Sequence, residues 1–426
     1  MTEDEACGIG FEIDHYLPRK HHPELSDEYQ NQMWSCQKCN SLKGDYDPDE
    51  SDRENGFDRI LSYPFENTLI KYKDMTDQTL LKEKIYKRGR INPDEAISLF
   101  SWDIIELGLA ADHRRKLAWP EEKVGFIVDR IINFTNICEA SCAFCAFHAR
   151  GGQIAPYELS LNEICDKVEA LVSAGGVQVM LQGGLHPDYT LDAYLTMVKT
   201  IRDRFPSVYL HSFSPSELVH ISRKSSVSLD DVVRHLKAAG LDSVPGASDL
   251  LVDRIRTQVS HKKLTTAEWC EVMDVLCRHG MKSSATMTYG MGETLEEKIS
   301  HLAVIRDVQD RTGILRAFIP WSFSPAHTRL ETILPATGID YLRIVAISRI
   351  FLDNITHIQA GWLTEGLKLA QVALTMGAND MGGVLMEEVV VKATGIETRT
   401  NTEEFIELIK DAGKIPVQRD SQYNAV

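Results

Sequence analysis

Between about residues 126 and 380, eight short apolar runs alternate with amphipathic helical stretches, and this alternation leaves few folds open. The runs expected as strands are 126–133 (FIVDRIIN), 177–181 (VQVML), 208–213 (VYLHSF), 241–244, 283–288 (SSATMT), 314–319, 355–360 and a last one near 376–380. Stretches such as LNEICDKVEALVSAG and TTAEWCEVMDVLCRHG lie between them, each closed by the glycine that favours a helix C-terminus. Crossover helices bury both faces of a sheet, so strands separated in this way pair in parallel. Eight such units are what an α/β (β/α)8 barrel of the TIM type requires, with its chemistry at the C-terminal ends of the strands. Ahead of the units, Asn92-Pro93 reads as the N-cap and first residue of a helix running PDEAISLFSWDIIELGLAADHRRKL.

Composition shifts once. Residues 45–58, DYDPDESDRENGFD, are dense in acid, proline and glycine and read as a solvated linker. The expected organisation is a small segment over 1–60, a linker and the start of a pre-barrel region over 61–88, and the barrel with a C-terminal extension over 89–426. No apolar stretch approaches the roughly 18 residues of a membrane span. The start, MTEDEACGIG, lacks the basic and apolar regions of a signal peptide, so a cytoplasmic location is expected. In that reducing compartment the nine cysteines read as thiols or metal ligands. A net charge of −16 argues against nucleic acid bound across the surface, since phosphate binding needs clustered Lys and Arg.

Directly after the first strand comes NFTNICEASCAFCAFHARGG. The spacing C-x3-C-x2-C places Cys138, Cys142 and Cys145 on one tight loop, with Phe144 as an apolar shield. Three thiolates bind three irons of a cubane and leave the fourth iron open to a non-protein ligand, whereas electron-transfer clusters are fully ligated. A structural zinc site is the alternative, with His148 as the fourth ligand. Cys165, Cys270 and Cys277 fall on amphipathic helices and read as core thiols.

C-x3-C-x-Phe-C after a first strand resembles the radical S-adenosyl-L-methionine (radical SAM) superfamily. The longer text DRIINFTNICEASCAFCAFHA, VQVMLQGGLHPD, HSFSPSELVH, SATMTYGMGETLEEK, FIPWSFSP and GANDMGGVLMEE resembles the cyclic dehypoxanthinylfutalosine synthases of menaquinone biosynthesis, from about Leu80 to Tyr423. Aminofutalosine synthases and deazaflavin (F420 precursor) synthases share much of this text. FIPWSFSP, IQAGWLTEGLKLAQVAL and GANDMGG pull toward the cyclases. PGASDLLVDRIR departs from their usual PGGGAEILVDRVR, one residue shorter and with Asp249 in place of Glu.

The resemblance implies a 4Fe-4S cluster, S-adenosylmethionine, a small-molecule substrate and an electron donor such as flavodoxin or ferredoxin. It implies that the reduced cluster cleaves the sulfonium, that the resulting radical abstracts the C4′ hydrogen of the substrate ribose, and that the carbon radical closes onto a benzoate ring. Gln182, Gly183 and Gly184 match the stretch that holds the methionyl amino group, and His211, Ser214 and Glu217 match residues that position cofactor or substrate. Asp249, Arg254 and Tyr289 are expected in catalytic roles, Arg254 countering a carboxylate. Thr286, Trp321, Ser322, Asn379 and Asp380 are expected around the substrate.

The amino-terminal text CGIGFEIDHYLPRKHHPELSDEYQNQMWSCQKCNSLKGD resembles the HNH endonucleases. That resemblance implies a general base at Asp14-His15, further positions at Asn31 and Asn40, and half of a zinc ribbon at Cys36 and Cys39. The other half is incomplete, with Cys7 present and Asp4 where its partner belongs. A degenerate zinc-supported module is expected. A live nuclease, with the barrel modifying a base, is the reading of another class.

Overall fold

The computed structural model describes residues 11–15 and 32–36 by their backbone, and residues 78–149 and 154–426. Two compact units divide the chain, Met1–Leu81 and Lys82–Val426. In the first, β1 (Phe11–His15) and β2 (Gln32–Cys36) pair antiparallel, with Phe11 opposite Cys36 and His15 opposite Gln32. The expected positions Asp4, Cys7, Asn31, Cys39 and Asn40 lie outside the described residues.

In the second unit, Asn92 caps α1 (Pro93–Ser98) through a complete capping box with Glu95. The single helix expected there is two. A 3-10 turn over Leu99–Ser101 ends at buried Trp102, and α2 (Ile104–Ala118) restarts as Asp103 accepts from the backbone N–H groups of Ile105 and Glu106. An aspartate satisfies free N–H groups better as a cap than inside a helix, and it wins over the apolar periodicity.

The strands follow as β3 (Lys123–Asn133), β4 (Gln178–Gln182), β5 (Tyr209–Leu210), β6 (Ser243–Val244), β7 (Lys282–Tyr289), β8 (Leu315–Ser322), β9 (His357–Ile358) and β10 (Asp380–Leu385). Between them run α3 (Leu161–Ser173), α4 (Leu191–Arg204), α5 (Pro215–Ser225), α6 (Leu229–Ala239), α7 (Asp253–Ser260), α8 (Thr266–Arg278), α9 (Leu295–Thr312), α10 (Gly338–Phe351) and α11 (Leu367–Ala373). All these strands pair in parallel, as two sheets ordered β10-β3-β4-β5 and β6-β7-β8-β9. Single bridges join the sheets at both seams. His211 pairs with Ser243, and Gln359 with Asp380, through Ser212 N–H to Ser243 O at 3.0 Å and Ala360 N–H to Asp380 O at 2.7 Å. The eight strands thus close a barrel.

Capping boxes start α3 (Ser160 and Glu163), α8 (Thr265 and Glu268), α9 (Thr294 and Glu297) and α10 (Thr337 and Asp340). The helices lay apolar stripes on the strands, for example Val232, Val233 and Leu236 of α6, all buried. Each such side chain contributes about 1.5–3 kcal/mol. Cys165 is buried in the same layer, whereas Cys270 and Cys277 are only partly covered. Among the described residues no helix is long and apolar enough to cross a membrane.

The last barrel strand begins at Asp380, not near 376. Gly377 turns the chain at φ +98°, and Gly382 at φ +73° lies inside the strand, where the register against β3 shifts between Asp380 and Gly383. A glycine at positive φ in a strand marks a bulge, which from sequence reads as a turn. After α12 (Thr402–Asp411), β11 (Ile415–Gln418) joins β3 in parallel, and the tail folds back with Arg419 bridged to Ala425. Arg419 is buried and forks onto Asp380 at 2.5 and 2.8 Å, with its guanidinium 3.8 Å from the centre of the Tyr423 ring.

Candidate active site

The cysteine loop leaves β3 at Asn133 and is held at its base by hydrogen bonds. Phe134 N–H donates to Gln182 O at 3.0 Å, and Asn136 donates to Ala155 O at 3.0 Å while accepting from Tyr157 N–H at 3.0 Å. Ser141 takes φ +51° to turn between the first two cysteines. Ala140, Cys142 and Leu185 form a buried apolar patch against which Cys138, Phe144 and Cys145 pack. Leu185 N–H donates to the Cys138 sulfur at 3.2 Å. Burial pushes the Cys142 thiol up to about 12 and raises Cys145 as well. A thiolate in such surroundings is stable only beside a cation.

Gly183 and Gly184, at the end of β4, lie flat against this loop. A Cβ on Gly184 would come within 2.3 Å of Ile137 O and 2.8 Å of Cys138 Cβ, and one on Gly183 would enter the Phe134 ring at 2.4 Å. Glu217 backs the pair, accepting from Gly183 N–H at 3.1 Å and from the Ser214 hydroxyl at 2.7 Å. It is 2% exposed, and burial raises its carboxyl to about 8. Gln182 completes the row, donating to Phe213 O at 3.4 Å. Across the opening, Asp249 at φ +48° pairs with Lys263 at 2.5 Å, whose ammonium sits 5.5 Å from the centre of the Phe144 ring. These groups surround a cavity of about 380 Å³ at the C-terminal mouth of the barrel.

A second cavity, of about 240 Å³, lies within the barrel. Thr286, Trp321, Thr364 and Val391 border both, so the two meet on one layer of side chains. Trp321 is held there by its indole N–H, which donates to the Thr288 hydroxyl at 2.8 Å. Below this layer the wall is mostly apolar, with Asp129, Gln178, His211, Arg316 and Arg419 as its polar and charged members among others. Asp129 is 3% exposed, and burial raises its carboxyl to about 7, which Arg419 and the Gln178 amide (3.2 Å) oppose. Burial, then the nearby positive charges of Arg316 and Arg419, hold His211 well below the ordinary imidazole range, so it is neutral.

Comparison with known proteins agrees with this geometry. Residues 132–304 match the Radical SAM superfamily, residues 312–426 the CofH/MqnC C-terminal region, and residues 5–46 the HNH endonucleases. The cyclic dehypoxanthine futalosine synthase of Halalkalibacterium halodurans is 39% identical over 81% of this chain and 94% of its own. That of Streptomyces coelicolor is 42% identical over 79% of this chain and 85% of its own. This chain is a radical SAM enzyme. The 5-amino-6-(D-ribitylamino)uracil–L-tyrosine 4-hydroxyphenyl transferase of Archaeoglobus fulgidus is 42% identical over 74% of this chain and 92% of its own. In fold, methylornithine synthase aligns with a TM-score of 0.64 at 18% identity (79% of this chain, 97% of the other). The FeFe-hydrogenase maturase HydG of Carboxydothermus hydrogenoformans aligns with a TM-score of 0.65 at 16% identity (84% and 83%).

Membership in the superfamily implies a 4Fe-4S cluster and S-adenosylmethionine, and the loop fits them. Its three cysteines border one cavity, while among the described residues no three His, Cys, Asp or Glu side chains converge as ligands of a single metal ion would. Cysteines spread around a volume suit a cluster, in which each binds a different iron, better than a zinc site completed by His148.

Among the residues expected from sequence, Gln182, Gly183, Gly184, Ser214, Glu217, Asp249 and Ser322 border the cysteine cavity, and Thr286 and Trp321 stand between the two cavities. His211 parts from Ser214 and Glu217. It faces the inner cavity and shares a 2.7 Å hydrogen bond with the Ser243 hydroxyl, because β5 is only two residues long and the chain turns at Phe213 (φ +64°). Arg254 is not brought to either cavity: it is exposed, with both arms on Glu297 at 2.6 and 2.7 Å. Tyr289 is fully buried in the core beneath Lys298. Asn379 is structural, accepting from Arg349 at 2.7 Å and Ile358 N–H at 3.0 Å, and Asp380 is taken up by Arg419. Sequence reasoning missed Asp129, Gln178, Lys263, Arg316 and Arg419. One signal was available: an acid at the centre of FIVDRIIN, in a strand buried on both faces, has no reason to be there except function or pairing.

Proposed function

We propose that this enzyme cyclises dehypoxanthinylfutalosine to its cyclic form. The observation that carries the reading is where the cyclase-like segments fall. Trp321 and Ser322 of FIPWSFSP, Gly361 to Thr364 of the AGWLTEG segment, and Gly382 and Gly383 of GANDMGG all border the two joined cavities. Those segments therefore bear on substrate choice, and the two cyclase relatives are matched over 94% and 85% of their length.

Cys138, Cys142 and Cys145 are the residues that hold the cluster, which together with S-adenosylmethionine supplies a hydrogen-abstracting radical. Gln182, Gly183 and Gly184 offer a flat backbone edge for close approach to the methionyl group. Glu217 fixes that edge from behind. Trp321 and Thr286 form the layer between cofactor and substrate, and the enclosed apolar wall below it keeps water from a reactive carbon radical. A flat aromatic ring suits that wall.

Anaerobic turnover with dehypoxanthinylfutalosine, S-adenosylmethionine and dithionite tests the reading. Cyclic product and 5′-deoxyadenosine in equal amounts support it. The second reading, transfer of a hydroxyphenyl group from tyrosine, rests on the 42% identity of the Archaeoglobus enzyme, and Asp249 departs from the cyclase text. Product from tyrosine and a ribitylaminouracil, with none from dehypoxanthinylfutalosine, would establish it instead.

A further inference from the structure

Arg316 enters the barrel from the second residue of β8, at the end of the inner cavity away from the cysteine loop. Its guanidinium donates to the Ser243 hydroxyl at 3.0 Å, to the Tyr209 hydroxyl at 3.3 Å and to Ser421 O. All three acceptors are neutral. Among the described residues no carboxylate is bonded to it. Asp380 is engaged twice by Arg419, and Asp129 has one oxygen on Gln178 and the other buried without a partner. Arginine cannot shed its proton, so Arg316 keeps its charge at the cavity wall with only neutral acceptors bonded to it.

The same hydroxyl links Arg316 to His211. Ser243 Oγ accepts from Arg316 and lies 2.7 Å from His211 Nδ1. The hydroxyl hydrogen is then free to donate to Nδ1, which places the imidazole hydrogen on Nε2. The cavity thus offers a cation and a neutral N–H donor joined through one serine, His211 buried and Arg316 half-buried.

We infer that Arg316, with His211 beside it, anchors a carboxylate of the substrate at the inner end of the barrel and so points the rest of the molecule toward Trp321, Thr286 and the cysteine loop. The inference deepens the proposed function by assigning the recognition of its benzoate. It requires only that the substrate carry a carboxylate, and tyrosine carries one too. It also gives to Arg316 the part that sequence assigned to Arg254, whose charge Glu297 already matches.

Equilibrium binding to the anaerobically reconstituted enzyme tests it, with two matched pairs of probes: dehypoxanthinylfutalosine against its benzamide analogue, and L-tyrosine against tyrosinamide. Wild type should prefer the carboxylate of whichever pair it binds by about tenfold or more, the worth of a charge-assisted hydrogen bond in an enclosed site. Arg316→Gln should bind acid and amide alike, and Arg316→Lys should restore part of the preference. In turnover, Arg316→Gln should raise KM more than it lowers kcat. Preference within the tyrosine pair alone would end the cyclase reading and leave the anchor standing. Arg316→Gln retaining the wild-type preference, or wild type showing none in either pair, overturns the anchor.

Discussion

Gly184→Ala should disable the cysteine loop while leaving the barrel folded. The added Cβ would lie 2.3 Å from Ile137 O and 2.8 Å from Cys138 Cβ, where ordinary contact begins near 3.4 Å. No rotation relieves this, because the first obstacle is a backbone carbonyl on the cysteine loop itself. The loop must retreat by about 1 Å, and a displacement of that size at a reacting centre costs about 100-fold in rate. Overpacking costs about 1–3 kcal/mol of stability, which a barrel of this size tolerates. Gly184 is not at positive φ, so the effect is steric and free of backbone strain. Gly175→Ala is the converse control, with φ +75° and nothing within 4 Å, and should cost stability alone. Iron content after anaerobic reconstitution, 5′-deoxyadenosine formation with dithionite, and urea unfolding would be measured on both variants. Wild-type 5′-deoxyadenosine formation by Gly184→Ala would refute the placement of the glycine pair against the cluster loop.

Changing any one of Cys138, Cys142 or Cys145 to Ala should abolish reductive cleavage of S-adenosylmethionine, assayed as 5′-deoxyadenosine; cleavage by the triple variant would remove the basis for the whole assignment. Arg254→Ala should leave KM within about twofold, since an exposed pair such as Arg254–Glu297 contributes only about 0–1 kcal/mol. Glu217 has its carboxyl raised by burial to about 8 from an ordinary 4.5, so between those values the folded state holds a proton that the unfolded chain releases. Stability of the cluster-free protein should therefore fall as pH rises through that window, by up to a few kcal/mol, and Glu217→Gln should flatten the urea-unfolding profile. A truncation beginning near Leu80 should retain most of the cyclisation rate, and the full chain with Mg²⁺, Mn²⁺ or Zn²⁺ should leave plasmid DNA intact. Nicking lost on His15→Ala would make the chain bifunctional.

The barrel and the cysteine loop were legible in the sequence because both depend on local pattern. Strand-helix alternation has a period, C-x3-C-x2-C has a spacing, and Gln182-Gly183-Gly184 follows an apolar run directly. Boundaries failed where a single residue outweighed the pattern, as Asp103 did by capping α2 and Gly382 by bulging β10. The inner cavity was illegible for a different reason. Its polar groups come from the whole ring of strands and from the tail: Asp129 on β3, Gln178 on β4, His211 after β5, Arg316 on β8 and Arg419 after β11. Nothing in a linear spacing joins residues 129 and 419. They meet because β11 adds to β3 in parallel, with Gln418 opposite Phe126, while two single bridges, His211 to Ser243 and Gln359 to Asp380, close the sheets into the ring that brings His211 and Arg316 to the same cavity.

The same closure explains why Arg254 misled and Arg316 did not announce itself. Arg254 sits in VDRIR, one residue into α7, where the motif draws the eye but the helix turns its side chain to Glu297 and solvent. Arg316 sits in ILRAFIP, in which a lone charge early in an apolar strand reads as a boundary residue. Its position becomes informative only once β8 is known to line an enclosed barrel, because there a cation without a carboxylate is energetically tolerable only if hydrogen bonds or a ligand meet it. Three neutral hydrogen bonds meet part of that demand. A substrate carboxylate would meet the rest, and the closed end of the barrel would then set the orientation in which the opposite end of the substrate reaches the cysteine loop.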